Sequence, residues 1–167
     1  MKAKLIVEGK EFEVNINHPE LENLLKPKKK TGYERLESTE PYWAVDEIGV
    51  CGHAYEEENI IDEIYDNANY YSEETVAENN ARADKLMRQL RRFAVEHREN
   101  DIDWKESVNK KWHIAYSYDS ASLCIDTAHC LRHCGMIYFD SRATCDLVIE
   151  AFHDELIWYF TEYKDSL

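Results

Sequence analysis

Long apolar runs and catalytic signatures are both missing from this sequence of 167 residues. No apolar stretch approaches the roughly 20 residues that a membrane-spanning helix requires, so we expect no membrane partner. The first residues, MKAKLIVEGKEFEV, alternate and carry acids, which is atypical of a signal peptide. The motifs of serine hydrolases, phosphate-binding loops, zinc proteases and dinucleotide-binding enzymes are also missing. We therefore expect neither an enzyme nor a cofactor.

Cysteines are few, and their pattern excludes a disulfide framework. There are five of them, an odd number, and they are irregularly spaced, so we expect reduced thiols in a cytosol. Hydrophobic residues make up 44% of the chain and aromatic residues 12%, which is enough to build a core. The length fits one domain, or one domain with an appended hairpin.

Basic residues are scarce as well. The formal net charge is −14, with 34 acids against 20 lysines and arginines. Most of the imbalance lies between Glu34 and Asp66, where eleven acids accompany a single base, Arg35. Such a surface repels nucleic acid and attracts basic partners, whereas a solvated face that keeps the protein in solution is the simpler interpretation.

The pattern of apolar residues predicts an α+β fold. We expect antiparallel hairpins or a meander, one long central helix and a C-terminal helix, in the order ββ-(α)-ββ-α-βββ-α. An N-terminal hairpin and linker occupy residues 1–32, and the main domain occupies residues 33–167. The predicted elements are a hairpin in 3–16, a short helix in 19–25, strands in 42–45 and 50–55, a long helix in 73–97, strands in 112–118, 123–127 and 136–139, and a closing helix in 141–163.

Two stretches of the sequence resemble each other. NYYSEETVAEN and IYFDSRATCDL share an aromatic pair, a residue suited to cap a helix and a small residue at the first core position. A duplicated strand–cap–helix unit explains the similarity, and so does the general need to cap a helix that follows a strand. We predict that Ser72 caps the long helix.

Three longer segments carry a resemblance to known proteins. They are KKKTGYERLESTEPYWAVDEIGVC, NANYYSEETVAENNARADKLMRQLRRFAVEHREN and GMIYFDSRATCDLVIEAFHDELIWYFTEYKDSL. These segments resemble phage and prophage proteins of Gram-positive, clostridia-like bacteria, over roughly residues 1–165, with departures at Arg142 and Thr144. The resemblance implies a small viral protein that inhibits bacterial defence, of the anti-CRISPR kind, in the host bacterial cytoplasm.

The acidic segment is the leading candidate for a binding surface. Its acids are interleaved with tyrosines and isoleucines, so it can imitate the phosphates of a duplex and occupy the positively charged channel of an RNA-guided nuclease. We therefore expect a host defence protein as partner, with Trp43, Tyr65 and Tyr70 as anchors. The predicted contact residues, which we call the acidic surface, are Glu56, Glu57, Glu58, Asp62, Glu63, Tyr65 and Asp66.

A basic stripe provides the first alternative. Lys85, Arg88 and Arg92 follow one another at three- and four-residue steps on the long helix. A nucleic-acid-binding regulator would contact phosphates with this stripe, across a homodimer formed by the long helix. Pairing of the stripe with the acidic segment, or with the acids of a second subunit, is the interpretation that the sequence favours.

A short stretch rich in histidine and cysteine provides the second alternative, a zinc-stabilised interaction module. It contains His129, Cys130, His133 and Cys134. One half of a tetrahedral site would come from two of these residues on a helical face, and the other half from Cys51 and His53. We favour a polar loop that ends at Gly135, with no metal bound. Cys145, on the apolar face of the closing helix, is predicted to be core.

Overall fold

The computed structural model describes residues 2–7, 10–15, 30–36, 40–45, 51–54 and 58–163. The chain divides into a first unit, Met1–Thr31, and a second unit, Gly32–Leu167. Within the described residues, every pairing of strands is antiparallel, and three helices accompany the strands. The predicted α+β class is therefore confirmed. None of the helices in this part of the chain has the length and apolar character needed to cross a membrane.

The first unit contains a hairpin of strands β1 (Lys2–Val7) and β2 (Lys10–Asn15). Leu5 lies opposite Phe12, and Lys4 forms an exposed ion pair with Glu11 at 2.9 Å. The alternation of apolar and charged residues predicts this hairpin correctly. The short helix predicted for residues 19–25 lies outside the described residues.

The second unit begins with a hairpin of strands β3 (Tyr42–Val45) and β4 (Cys51–Ala54), followed by helix α1 (Glu58–Asp66). The sequence pattern does not predict α1, because nine residues are too few for periodicity to separate a helix from a loop. The chain turns away after α1 where Ala68 adopts a φ of 54°. The side-chain amide of Asn69 then accepts from the Val45 N–H and donates to the Val45 carbonyl, both at 3.0 Å.

Helix α2 (Glu74–Glu96) has 23 residues and confirms the predicted long helix. Its N-cap residue is Glu73, which makes no side-chain capping hydrogen bond, so the prediction that Ser72 caps this helix is wrong. The Ser72 hydroxyl instead donates to the Glu34 carboxylate at 2.8 Å. The Ser72 N–H donates to the carbonyl of Gly32, also at 2.8 Å. These bonds tie the start of α2 to the segment that precedes β3.

Two different faces of α2 are buried along its length. Near the N-terminus the buried residues are Ala77 and Ala81, four residues apart. Towards the C-terminus a second face buries Leu86, Leu90 and Ala94, in one core cluster with the closing helix. Because α2 also contacts β3 and β4, we infer that the alanine face near its N-terminus is the side that meets the β3–β4 hairpin. Alanines allow a helix to approach a sheet closely.

The pairing of β5 (Lys111–Ser117) with β6 (Ser122–Ala128) confirms the predicted strand pair, and Ile114 lies opposite Ile125. Helix α3 (Arg142–Thr161) closes the unit. The predicted third strand in 136–139 is wrong: only Phe139 pairs with β5, through a single bridge to Trp112. The chain leaves the hairpin there because Ser141 caps α3, where its hydroxyl accepts from the Thr144 N–H at 3.1 Å.

The two halves of the second unit repeat one arrangement. A tryptophan in the first strand of each hairpin exchanges two backbone hydrogen bonds with the last residue of an aromatic pair, at 2.8–3.0 Å. These bridges join Trp43 to Tyr71 and Trp112 to Phe139. A helix begins three residues after each bridge. We call these halves the first repeat (42–96) and the second repeat (111–161).

The helices of the two repeats also match in their first buried position. The fourth residue of α2 is Ala77 and that of α3 is Cys145, and both are fully buried small residues. Because α2 has no side-chain cap, the need for a cap does not explain the similarity of the two sequence stretches. The shared bridge and the small buried residue do explain it. One core cluster, around Tyr42, lies within the first repeat, and the other joins Leu86 and Leu90 of α2 to residues of the second repeat.

Candidate interaction surfaces

The acidic surface lies on the outward side of α1 as far as the structure describes it. Ile61 faces inward, with 7% of its surface exposed, and packs with buried Tyr42 and Tyr70. This packing leaves Glu63 and Asp66 exposed on the other side of the helix. Three predicted contact residues lie outside the description, Glu56 and Glu57 entirely and Glu58 by its side chain.

Arg35 contacts two residues of the acidic surface. Its guanidinium forms an ion pair with Asp62 and lies 5.7 Å from the centroid of the Tyr65 ring. Tyr65 keeps 39% of its surface exposed, while its ring meets the Tyr70 ring edge-on at 5.5 Å. An exposed aromatic side chain that is already held on two sides loses little conformational freedom when a partner binds. Tyr65 is thus the predicted anchor that the structure presents to solvent.

Tyr70 is a core residue, so its prediction as an anchor is wrong. Only 3% of it is exposed, and its ring stacks on that of Tyr42 with centroids 4.6 Å apart. Its hydroxyl accepts from the Leu36 N–H at 3.1 Å. Trp43, the third predicted anchor, is half-buried beside the bridge to Tyr71.

The basic stripe continues the alanine face of α2 beyond the β3–β4 hairpin. Lys85, Arg88 and Arg92 are all exposed, and they follow Ala77 and Ala81 at helical spacing. Arg92 lies 3.8 Å from Glu96 on the same helix. Among the described side chains, no ion pair joins the stripe to the acids of residues 34–66. The pairing favoured by the sequence is therefore not found within these residues.

The histidine- and cysteine-rich stretch is an irregular loop rather than a helical half-site. Nδ1 of His129 donates to the Ser107 carbonyl at 3.0 Å, and the His133 N–H donates to the Tyr138 hydroxyl at 2.9 Å. Cys130 and Cys134 have exposed thiols. No group of three metal-binding side chains occurs in the described part of the chain, although the side chains of Cys51 and His53 lie outside that part. The zinc hypothesis thus finds no support in the described side chains.

Cys145 is a core residue, as predicted. It is fully buried at the start of α3. Burial, with a smaller contribution from the nearby carboxylates of Asp146 and Asp140, raises the pKa of its thiol to about 12. The thiol is therefore protonated at neutral pH, and a protonated thiol is a poor nucleophile.

A cleft between α2, the segment that follows it and the histidine- and cysteine-rich loop was not predicted. It has a volume of about 460 Å³, and Arg91, Arg98 and Arg132 line it together with Trp104. We call it the arginine cleft. Its residues come from three separate segments, so no spacing in the sequence could indicate them. The one signal was Arg91, which directly precedes the last residue of the basic stripe.

His113 lies buried near this cleft, on β5. Its side chain faces Asp126 across the hairpin, and its ring centroid lies 5.6 Å from that of Tyr138. Its Nδ1 has no hydrogen-bond partner among the described atoms. Burial lowers the pKa of His113, and His133 lowers it further, while Asp126 opposes both. The folded protein therefore favours the neutral ring.

We expect His113 to make stability depend on pH. Below about pH 6.5 His113 binds a proton more readily in the unfolded chain than in the folded one. The free energy of unfolding therefore falls as the pH falls. One proton limits the slope to about 1.4 kcal/mol per pH unit. Urea unfolding of His113→Gln at pH 7.5 and 5.5 should show a smaller loss than the unchanged protein, whereas His153→Gln, at an exposed position, should show the full loss. An equal loss in all three proteins would contradict this assignment.

No protein-family model, curated protein or solved structure matches the chain.

Proposed function

We propose that this protein is a non-enzymatic inhibitor that binds a host defence protein through the acidic surface. The observation that carries the proposal is the exposure of Glu63, Tyr65 and Asp66 on one short helix, with Tyr65 held by Arg35 and Tyr70. The resemblance to phage and prophage proteins adds the context of bacterial defence and of the host cytoplasm. The net charge of −14 adds a preference for a basic partner.

The chemistry of the surface fits a protein channel that normally holds nucleic acid. RNA-guided nucleases line such channels with positive charge. Carboxylates of the acidic surface would accelerate the encounter with that charge, and the aromatic ring would slow dissociation by filling a pocket. An RNA-guided nuclease is accordingly the first partner to test.

Charge reversal tests the proposal. Glu63→Lys with Asp66→Lys should weaken binding to a purified RNA-guided nuclease at least about 10-fold, because both carboxylates face the partner's positive charge. Glu150→Lys with Asp154→Lys is the matched control, since it changes the net charge equally at exposed positions of α3. Binding constants should be measured at low and at physiological salt. Equal binding by the Glu63/Asp66 variant and the unchanged protein would contradict the mechanism.

A second candidate function is nucleic-acid binding through the basic stripe. The observation in its favour is that Lys85, Arg88 and Arg92 are exposed and form no described ion pair with the acidic segment. A homodimer through α2 would place two stripes on one duplex. A salt-dependent shift of duplex DNA that disappears in the triple alanine variant would favour this function over inhibition.

A further inference from the structure

The arginine cleft concentrates positive charge in a protein that is acidic as a whole. Arg91 extends from α2, Arg98 from the segment after it and Arg132 from the histidine- and cysteine-rich loop. Among the described residues, the carboxylate within ion-pair distance of these arginines is that of Asp101, 4.0 Å from Arg98. At this distance and on the surface, such a pair contributes little. The cleft is thus a cluster of like charges with little internal compensation.

The lining between the arginines is apolar and aromatic. Ile102, Ile137 and Tyr138 contribute to it, together with the ring of Trp104. Trp104 meets Tyr138 edge-on with centroids 4.8 Å apart, which fixes the position of its ring. The volume of about 460 Å³ is within the range of small-ligand sites and is far larger than a single inorganic oxyanion requires.

Within the described part of the chain, the arginine cleft lacks a carboxylate that a similar cation–ring pair has at the first repeat. Arg35, which precedes the first repeat, lies 5.7 Å from the Tyr65 ring within it, and the carboxylate of Asp62 neutralises the guanidinium. Arg132 of the second repeat lies 5.8 Å from the ring of Trp104, which precedes that repeat. In both pairs, one residue precedes a hairpin and the other follows it. The cation precedes the β3–β4 hairpin in the first pair, whereas the aromatic ring precedes the β5–β6 hairpin in the second. Among the described residues, no carboxylate takes the place of Asp62 beside Arg132.

The loop that carries Arg132 is fixed on both sides of it. His129 donates to the carbonyl of Ser107 at 3.0 Å, and the His133 N–H donates to the Tyr138 hydroxyl at 2.9 Å. The opposite wall is fixed as well, because the Asp140 carboxylate accepts from the N–H groups of Glu99 and Asn100 at 2.8 and 2.9 Å. The cleft is therefore preorganised, which reduces the entropic cost of binding.

We propose that the arginine cleft binds a nucleoside phosphate, with Arg91 and Arg132 on the phosphate and the base against Trp104. Guanidinium groups match the geometry of phosphate oxygens and bind them in pairs. A flat, partly apolar base fits the ring and the isoleucines that line the remaining space. The phosphate takes the place that the Asp62 carboxylate has in the first repeat. This site shares no residue with the acidic surface, so it is independent of the proposed function.

Calorimetric titration with adenosine monophosphate, adenosine and inorganic phosphate tests the proposal. We expect adenosine monophosphate to bind at least about 10-fold more tightly than either part alone, since the site contacts both the phosphate and the base. Arg91→Gln and Arg132→Gln should each weaken that binding at least about 10-fold. Arg88→Gln is the matched control, because it removes the same charge from an exposed position of α2 that does not line the cleft. Its binding should be unchanged.

Several outcomes would overturn the proposal. One is the lack of measurable binding of adenosine monophosphate, and another is equally tight binding of inorganic phosphate. A loss in Arg88→Gln equal to that in Arg91→Gln would indicate a general charge effect. Much tighter binding of a short single-stranded oligonucleotide, lost in Lys85→Gln, would assign the arginines to a nucleic-acid track instead. Arg91 and Arg132 are both exposed and lie on separate segments, so equal melting temperatures of the variants provide the control for folding.

Discussion

Replacement of Gly32 by alanine is expected to destabilise the second unit by about 3 kcal/mol. Gly32 has a φ of +85°, and a Cβ atom there would lie 2.5 Å from Cγ2 of Val76 on α2. The left-handed backbone costs an L-residue about 1 kcal/mol, and overpacking of this kind adds about 2 kcal/mol. The carbonyl of Gly32 accepts from the Ser72 N–H at 2.8 Å, so the backbone cannot move away without loss of that bond.

Gly135 offers a matched control for this substitution. It also has a positive φ, of +77°, but a Cβ atom there would meet nothing within 4 Å. Gly135→Ala should therefore show the backbone cost alone, about 1 kcal/mol. Val76→Ala in the Gly32→Ala background should recover most of the difference, as a double-mutant cycle from urea unfolding would show. Equal losses for the two glycine substitutions would contradict the close approach to Val76.

Replacement of Leu86 by alanine should cost about 3 kcal/mol of unfolding free energy. Leu86 is 1% exposed and belongs to the core cluster that joins α2 to Phe139, Val148 and Leu156. A cavity left at such a position destabilises a protein by the lost burial plus the lost contacts. The matched control is Leu147→Ala on α3, where 48% of the side chain is exposed, and where we expect a loss below about 1 kcal/mol. Similar losses at the two positions would show that Leu86 is not central to the core.

The elements that the sequence predicts well are those with a long or regular pattern. Alternation places the strands of the N-terminal hairpin, turn residues place those of the other two hairpins, and the spacing of apolar residues places α2 and α3. Helix α1 is missed because it is short, and two other errors occur where a single residue decides the path of the chain. Phe139 pairs with β5 at one bridge and goes no further, and Ser72 bonds to Glu34 instead of capping α2. Neither choice is encoded in local periodicity, because both partners are distant in the sequence.

The candidate surfaces also divide into features that the local sequence indicates and features that depend on tertiary packing. The local charge of the sequence indicates the acidic segment, and helical spacing indicates the basic stripe of α2; among the described residues, Glu63 and Asp66 and the three residues of the stripe are exposed. The burial of Tyr70 could not be read, because it depends on stacking with Tyr42 across the first repeat. The arginine cleft could not be read either, because its three arginines meet only after α2, the following segment and the loop have packed together.

Because α2 packs against both the β3–β4 hairpin and α3, its length sets the spacing between the two repeats. From Ala77 to Ala94 the helix is about 25 Å long, at 1.5 Å per residue. Each residue also turns the helix by about 100°, so length and rotation are coupled. A residue inserted into or deleted from α2 would therefore both shift and rotate one repeat relative to the other. Substitution of exposed charges on the acidic surface or in the arginine cleft leaves this geometry unchanged. The distance and the angle between the two repeats are set by the number of residues in α2.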